Sequence, residues 1–129
     1  MEKDYIPLSE RILSDPKVMA LQVRYGNAAG LGHWVIMLLS MYNNSRPSIE
    51  TNVDYIKASL MRIHEMSDEE FDELCDLCAD LTLIDKPLWY EYQCISNPHV
   101  NEHKADREAI SKKRQEAGRK GGKAKKASV

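Results

Sequence analysis

Apolar residues recur at helical spacing through most of the first 81 positions and alternate at strand spacing only near residues 88–94. Asp15 followed by Pro16 reads as the N-cap and first residue of a helix that buries Val18, Leu21 and Tyr25 and ends at Gly26. A second helix starts at Asn27 and is apolar nearly all round from Trp34 to Met41, as expected of the central helix of a core. Gly30 and Gly32 weaken that helix, and close approach of another backbone would account for them. "NNSRPS" reads as a loop, and a third helix is predicted from about Asn52 to Ile63, with Val53, Ile56, Leu60 and Ile63 on one face. The fourth helix has the strongest start signals. Ser67 and Glu70 form a capping box, Met66 and Phe71 a hydrophobic staple, and Phe71, Leu74, Cys75, Cys78 and Leu81 a continuous face.

Beyond residue 80 the period changes. "LTLID" and "LWYEYQCI" read as two strands joined at Asp85-Lys86-Pro87, the second alternating Leu88, Tyr90, Tyr92 and Cys94 against Trp89, Glu91 and Gln93. Asn97-Pro98 opens a last helix of thin apolar content (Val100, Ala109, Ile110), expected to project into solvent and to stop at Gly118 before a flexible tail. Helices followed by a hairpin give a mainly α (α+β) fold: a winged helix-turn-helix with a β-hairpin wing and a projecting basic C-terminal helix. The expected organisation is a winged-helix domain over 1–98, a polar helix over 99–117 and a basic tail over 118–129.

Charge sharpens this picture. The net charge of −2 divides into ten Lys/Arg against three Asp/Glu from His103 onward, and eight against seventeen before it. An acidic body with a basic tail suggests a tail that meets a polyanion and a body that does not. No apolar run is long enough for a membrane span, and the three cysteines without a secretory segment point to free thiols in a reducing cytoplasm.

Four chemistries can be weighed on the residues. Cys75, Cys78, His99 and His103 have a stretched Cys2His2 zinc spacing, but both cysteines fall on the apolar stripe of a capped helix, where cysteine packs as a small hydrophobe. No metal or other cofactor is therefore expected. The fourth helix carries Asp68, Glu69, Glu70, Asp72, Glu73, Asp76 and Asp80 and no base-reading donor, so it is not expected to enter a major groove. None of His33, His64, His99 and His103 is paired in sequence with a nucleophile or carboxylate motif, and no residue is assigned a catalytic role. Lys112, Lys113, Arg114, Arg119, Lys120, Lys123, Lys125 and Lys126 can neutralise phosphates without reading bases, whereas an AT-hook core and a P-loop spacing are absent. A solubilising tail or a linker would carry the same residues.

"YIPLSERILSDPKVMALQVRYGNAAGLGHWVIMLLSMY" and "KKRQEAGRKGG" together resemble the N-terminal winged-helix domain of phage and prophage replication proteins of the DnaD-like, replisome-organiser type. The family pattern places a Y-G-x-x-G-x-G-x-W where this chain has Tyr25, Gly26, Gly30, Gly32 and Trp34, with one extra residue between Gly26 and Gly30. The resemblance implies a non-enzymatic role in starting phage or mobile-element DNA replication. It further implies self-association through the winged helix and recruitment of a host helicase or helicase loader. Family members usually continue into a second domain, and this sequence ends just after the basic tail. Tyr5, Trp89 and Tyr90 are candidate association residues, although core packing accounts for each equally. Two other readings remain open. One is a winged-helix regulator of phage genes touching DNA through Lys57, Arg62 and Lys86; the other is an adaptor or DNA-mimicking inhibitor that uses the acidic helix.

Overall fold

The computed structural model describes residues 6–127, with side chains described as far as residue 118. After a single 3-10 turn at Ile12–Ser14, the chain runs α1 (Pro16–Tyr25), α2 (Asn27–Asn43), β1 (Ile49–Glu50), α3 (Asp54–His64), α4 (Asp68–Asp80), α5 (Lys86–Tyr92), β2 (Cys94–Ile95) and α6 (Pro98–Ala127). It is mainly helical, with one small antiparallel sheet.

The helix starts follow the chemistry of the N-cap. The Asp15 carboxylate accepts from the Lys17 amide at 2.9 Å, with Pro16 in the first turn. At α4 both halves of the capping box are made: Glu70 N–H donates to Ser67 Oγ at 3.2 Å, and Ser67 N–H to Glu70 Oε1 at 3.0 Å. Asn97 Oδ1 accepts from the amides of His99 and Val100 to open α6.

Helices α1 and α2 pack as a hairpin around Gly26, whose φ of 100° suits glycine. Trp34, Met37 and Met41 of α2 are buried with Val18 and Leu21 of α1, and with Phe71, Leu74, Cys75 and Cys78 of α4. The stripe expected of α4 is thus its core face. The α2 helix is central, but Leu39 on its far side is half exposed.

Three expectations need correction. The hairpin over residues 81–95 is not formed, since Lys86–Tyr92 is the helix α5. Asp85 is its N-cap, accepting from the Leu88 amide at 3.1 Å, and Pro87 sits in the first turn. A short apolar run satisfies both periods, and here cap chemistry outweighs alternation. Only Cys94–Ile95 is extended, and it pairs with Ile49–Glu50, in register Ile49 with Ile95 and Glu50 with Cys94. Buried Thr51 extends this pairing by donating its N–H and hydroxyl to the Gln93 carbonyl.

The second correction concerns α6, which runs unbroken through Gly118 to Ala127. Each helical glycine costs about 1 kcal/mol against alanine, so Gly118, Gly121 and Gly122 weaken this stretch, while the Ala, Lys, Arg, Gln and Glu around them are good helix formers. The third concerns the paired glycines of α2. A Cβ at Gly30 would lie 2.5 Å from the Gln22 nitrogen and the Leu21 oxygen, whereas one at Gly32 meets nothing within 4 Å. Close approach explains Gly30 alone.

Gly30→Ala is therefore expected to destabilise the protein by about 1–3 kcal/mol through overpacking of backbone on backbone. Gly32→Ala should stabilise it by up to about 1 kcal/mol through helix propensity. Paired urea-unfolding curves check both, and equal effects at the two sites would refute the assignment.

Candidate functional site

Projection of α6 depends on how its first turns are seated. Val100 is buried, the His103 ring meets the Tyr42 ring edge-on at 5.6 Å, and the Arg107 guanidinium lies 5.9 Å above the same ring. The Lys104 ammonium donates to the carbonyls of Met41 at 3.0 Å, Asn44 at 2.7 Å and Arg46 at 3.1 Å. Those carbonyls belong to the last turn of α2 and the loop beyond it, where a helix presents unpaired acceptors and the negative end of its dipole. Burial, reinforced by Arg107, lowers the Lys104 pKa, while Glu108 opposes the shift. Lys104 is a residue that charge and motif do not single out. Its signal is spacing: Val100, His103, Lys104 and Arg107 form one stripe, so a lysine stands on a packing face.

From Glu108 to Gly118 every residue of α6 is exposed, including Lys112, Lys113 and Arg114. The side chains of Arg119, Lys120, Lys123, Lys125 and Lys126 lie outside the described residues, although their backbone belongs to α6. Helical register puts positions 112, 119, 123 and 126 on one face. The basic segment is thus a helical array and not the flexible tail expected from its glycines.

The acidic helix behaves differently. Lys57 bridges α3 to α4 through Asp68 and Asp72; burial works against its charge, but the two hydrogen bonds hold its pKa above the ordinary lysine value. Arg24 pairs with Glu73 at 3.2 Å and Lys86 with Asp80 at 3.5 Å. Trp89 Nε1 donates to Asp76 at 2.7 Å, and the Tyr90 hydroxyl donates to Asp80 at 2.9 Å. Much of the α4 acid therefore answers groups of the chain's own body. Lys57 and Lys86, two of the cations suggested for groove contact, are engaged here.

Of the suggested association residues, Trp89 is a core residue, 4% exposed, and Tyr90 is half exposed with its hydroxyl committed to α4. Tyr5 lies outside the described residues. Cys75 and Cys78 are fully buried on α4, and burial pushes both thiols well above their usual range. Among the described residues, no three His, Cys, Asp or Glu side chains are placed to hold a metal ion. No described helix is long and apolar enough to cross a membrane.

A surface with no signature in the sequence lies between α2 and α3. Two adjoining grooves, of about 480 and 320 Å³, share Ser40, Asn43 and Ile63 and expose Leu39, Tyr55 and Ile63. Among the described residues neither is lined by a carboxylate, and Arg107 is the one charged residue along them.

Replacing Lys104 with Met leaves three carbonyls without their donor and should cost about 1–3 kcal/mol. The melting temperature should drop by several degrees, with loss of helical signal. A variant melting like the parent would remove Lys104 from this role.

Comparison with protein-family models, curated proteins and solved structures returns no match to this chain.

Proposed function

We propose that this chain is a non-enzymatic DNA-associated module that self-associates through its folded body and contacts DNA, without reading sequence, through α6. The observation that carries this reading is the separation of charge along one helix. Its seated turns belong to an acidic body, and its exposed part carries the basic residues Lys112, Lys113 and Arg114 onward. Contacts of that kind bind phosphates and leave base edges unread.

In the narrower form suggested by the resemblance, the module starts or organises replication of a phage or mobile element, with a host helicase or helicase loader as partner. We read the body as a winged-helix variant in which β1 pairs with β2, and α5, between the fourth helix and β2, occupies the place of the wing hairpin. The regulator reading loses support because Lys57 and Lys86 are held by α4 carboxylates. The DNA-mimic reading is weakened by the same pairs, which neutralise part of the acidic face.

For self-association the α2–α3 grooves are the better surface, since Trp89 is in the core. Two copies of an acidic body repel least where none of the described lining residues is a carboxylate. The double variant Leu39→Lys, Ile63→Lys should therefore shift the protein from dimer to monomer in sedimentation equilibrium, weakening association at least tenfold. A parent protein that is monomeric at its highest soluble concentration, or a variant of unchanged mass, sinks this surface.

DNA contact is tested by fluorescence anisotropy on a duplex and a single strand at two salt concentrations. The full chain is compared with a Lys112→Glu, Lys113→Glu, Lys120→Glu, Lys123→Glu variant, which leaves Lys104 in place. Binding should be salt-sensitive, and the slope of log affinity against log salt should shrink by about 0.9 for each duplex phosphate no longer neutralised. Undiminished binding by the variant would reject α6 as the interface.

A further inference from the structure

Four helices meet at a chain of rings. Tyr25 of α1 lies edge-on to His33 of α2 at 5.4 Å, His33 faces His64 of α3 at 5.2 Å, and His64 faces Phe71 of α4 at 5.7 Å. The two histidines approach through like atoms, Nδ1 to Nδ1, at 3.0 Å. His64 is the last residue of α3 and 3% exposed, and its Nε2 is buried without a partner. Glu65 follows in the left-handed conformation and turns the chain into α4. Nothing in the proposed function uses this contact.

A 3.0 Å contact between two Nδ1 atoms holds one proton, so one ring donates and the other accepts. With both rings neutral, the better arrangement has His64 donating, because its buried Nε2 then carries a lone pair and not an orphaned N–H. A proton added to half-buried His33 disturbs this at once. If His33 becomes the donor, the proton on His64 must move to Nε2, where no acceptor waits. A second proton sets two N–H groups against each other.

The surroundings offer the charge little. On α1, Arg24 lies 5.1 Å from the Tyr25 ring and pairs with Glu73. On α4, Phe71 faces His64, and Cys75 and Cys78 are buried thiols. On α3 Arg62 is exposed, as is Glu65 just after it, and Lys57 is held by Asp68 and Asp72. Among the described residues His33 is the one charge partner that acts on His64, and it acts against protonation.

We propose that the His33–His64 contact is a proton-released latch that fastens the end of α3 and the α3–α4 turn to α2 while both rings are neutral. Release would move Ile63, the neighbour of His64 that lines both grooves, so mild acid would alter that surface.

Burial, with His33 second, takes the His64 pKa from 6.5 down to about 4, and burial alone lowers that of His33. Between these limits the unfolded chain binds protons that the folded chain refuses. The stabilisation is complete above pH 6.5 and is lost as pH falls toward 4.

The test uses the full chain. Ring-nitrogen NMR of His64 should show a neutral ring protonated at Nδ1 at about pH 7.5, titrating far below 6.5. The backbone amides of Ile63 to Met66 should shift as the first of the two rings takes up its proton. Between about pH 6.5 and 5 the unfolding equilibrium constant should rise up to about tenfold per pH unit, a rise flattened in His64→Met. Titration of His64 near 6.5, or ring titration that leaves those amides unmoved, would overturn the latch. So would a His64→Met protein with the parent's pH slope. If His64→Met fails to fold, the ring and amide titrations of the parent decide alone.

Discussion

One ammonium group sets where the two halves of this molecule meet. Lys104 reaches back to the end of α2 and satisfies three carbonyls that no helix can satisfy for itself. With buried Val100, and with His103 and Arg107 against the Tyr42 ring, that contact anchors the first turns of α6 on the central helix of the core. What the exposed part of α6 can reach is therefore set by a buried-face lysine, while its described charge is carried by exposed residues such as Lys112 and Lys113. Two residues of one type, eight positions apart, play opposite parts: Lys104 holds the helix and Lys112 presents charge.

The body uses its charges in the same way. Carboxylates of α4 meet Lys57 from α3, Arg24 from α1, and Lys86 and Trp89 from α5. What reads in sequence as a solvated acidic face is in part the glue between helices. Exposed pairs such as Arg24–Glu73 contribute little individually. The Lys57 bridge is less exposed on the lysine side and joins two elements, so it constrains the angle between α3 and α4 more than it stabilises either.

Helix starts are legible because caps are local: Asp15-Pro16, Ser67 with Glu70, and Asn97-Pro98 each declare themselves within four residues. Asp85-Lys86-Pro87 carries the same signal, but the alternation after it suggests strands and makes it look like a turn. Helix ends are harder to read. Glu65, Thr82 and Gln93 adopt positive φ where glycine or asparagine would mark a stop, while Gly118, which looks like a stop, lies within a helix. The basic residues of α6 can be found from composition alone. The His33–His64 contact cannot, since 31 residues separate its members and no local rule links them. The α2–α3 grooves are equally hidden: a helix apolar all round reads as buried all round, and Leu39 is not.

The continuity of α6 has a consequence for how far apart opposite charges are kept. The twenty residues from Glu108 to Ala127 extend roughly 30 Å along the helix axis at about 1.5 Å per residue. Under physiological salt a charge is felt over about 8 Å, the Debye length. A polyanion held at the far end of such an arm would sit several screening lengths from the carboxylates of α4. If α6 holds DNA as proposed, the helix would serve as a spacer, and the acidic body and a bound phosphate backbone could belong to one complex without opposing each other.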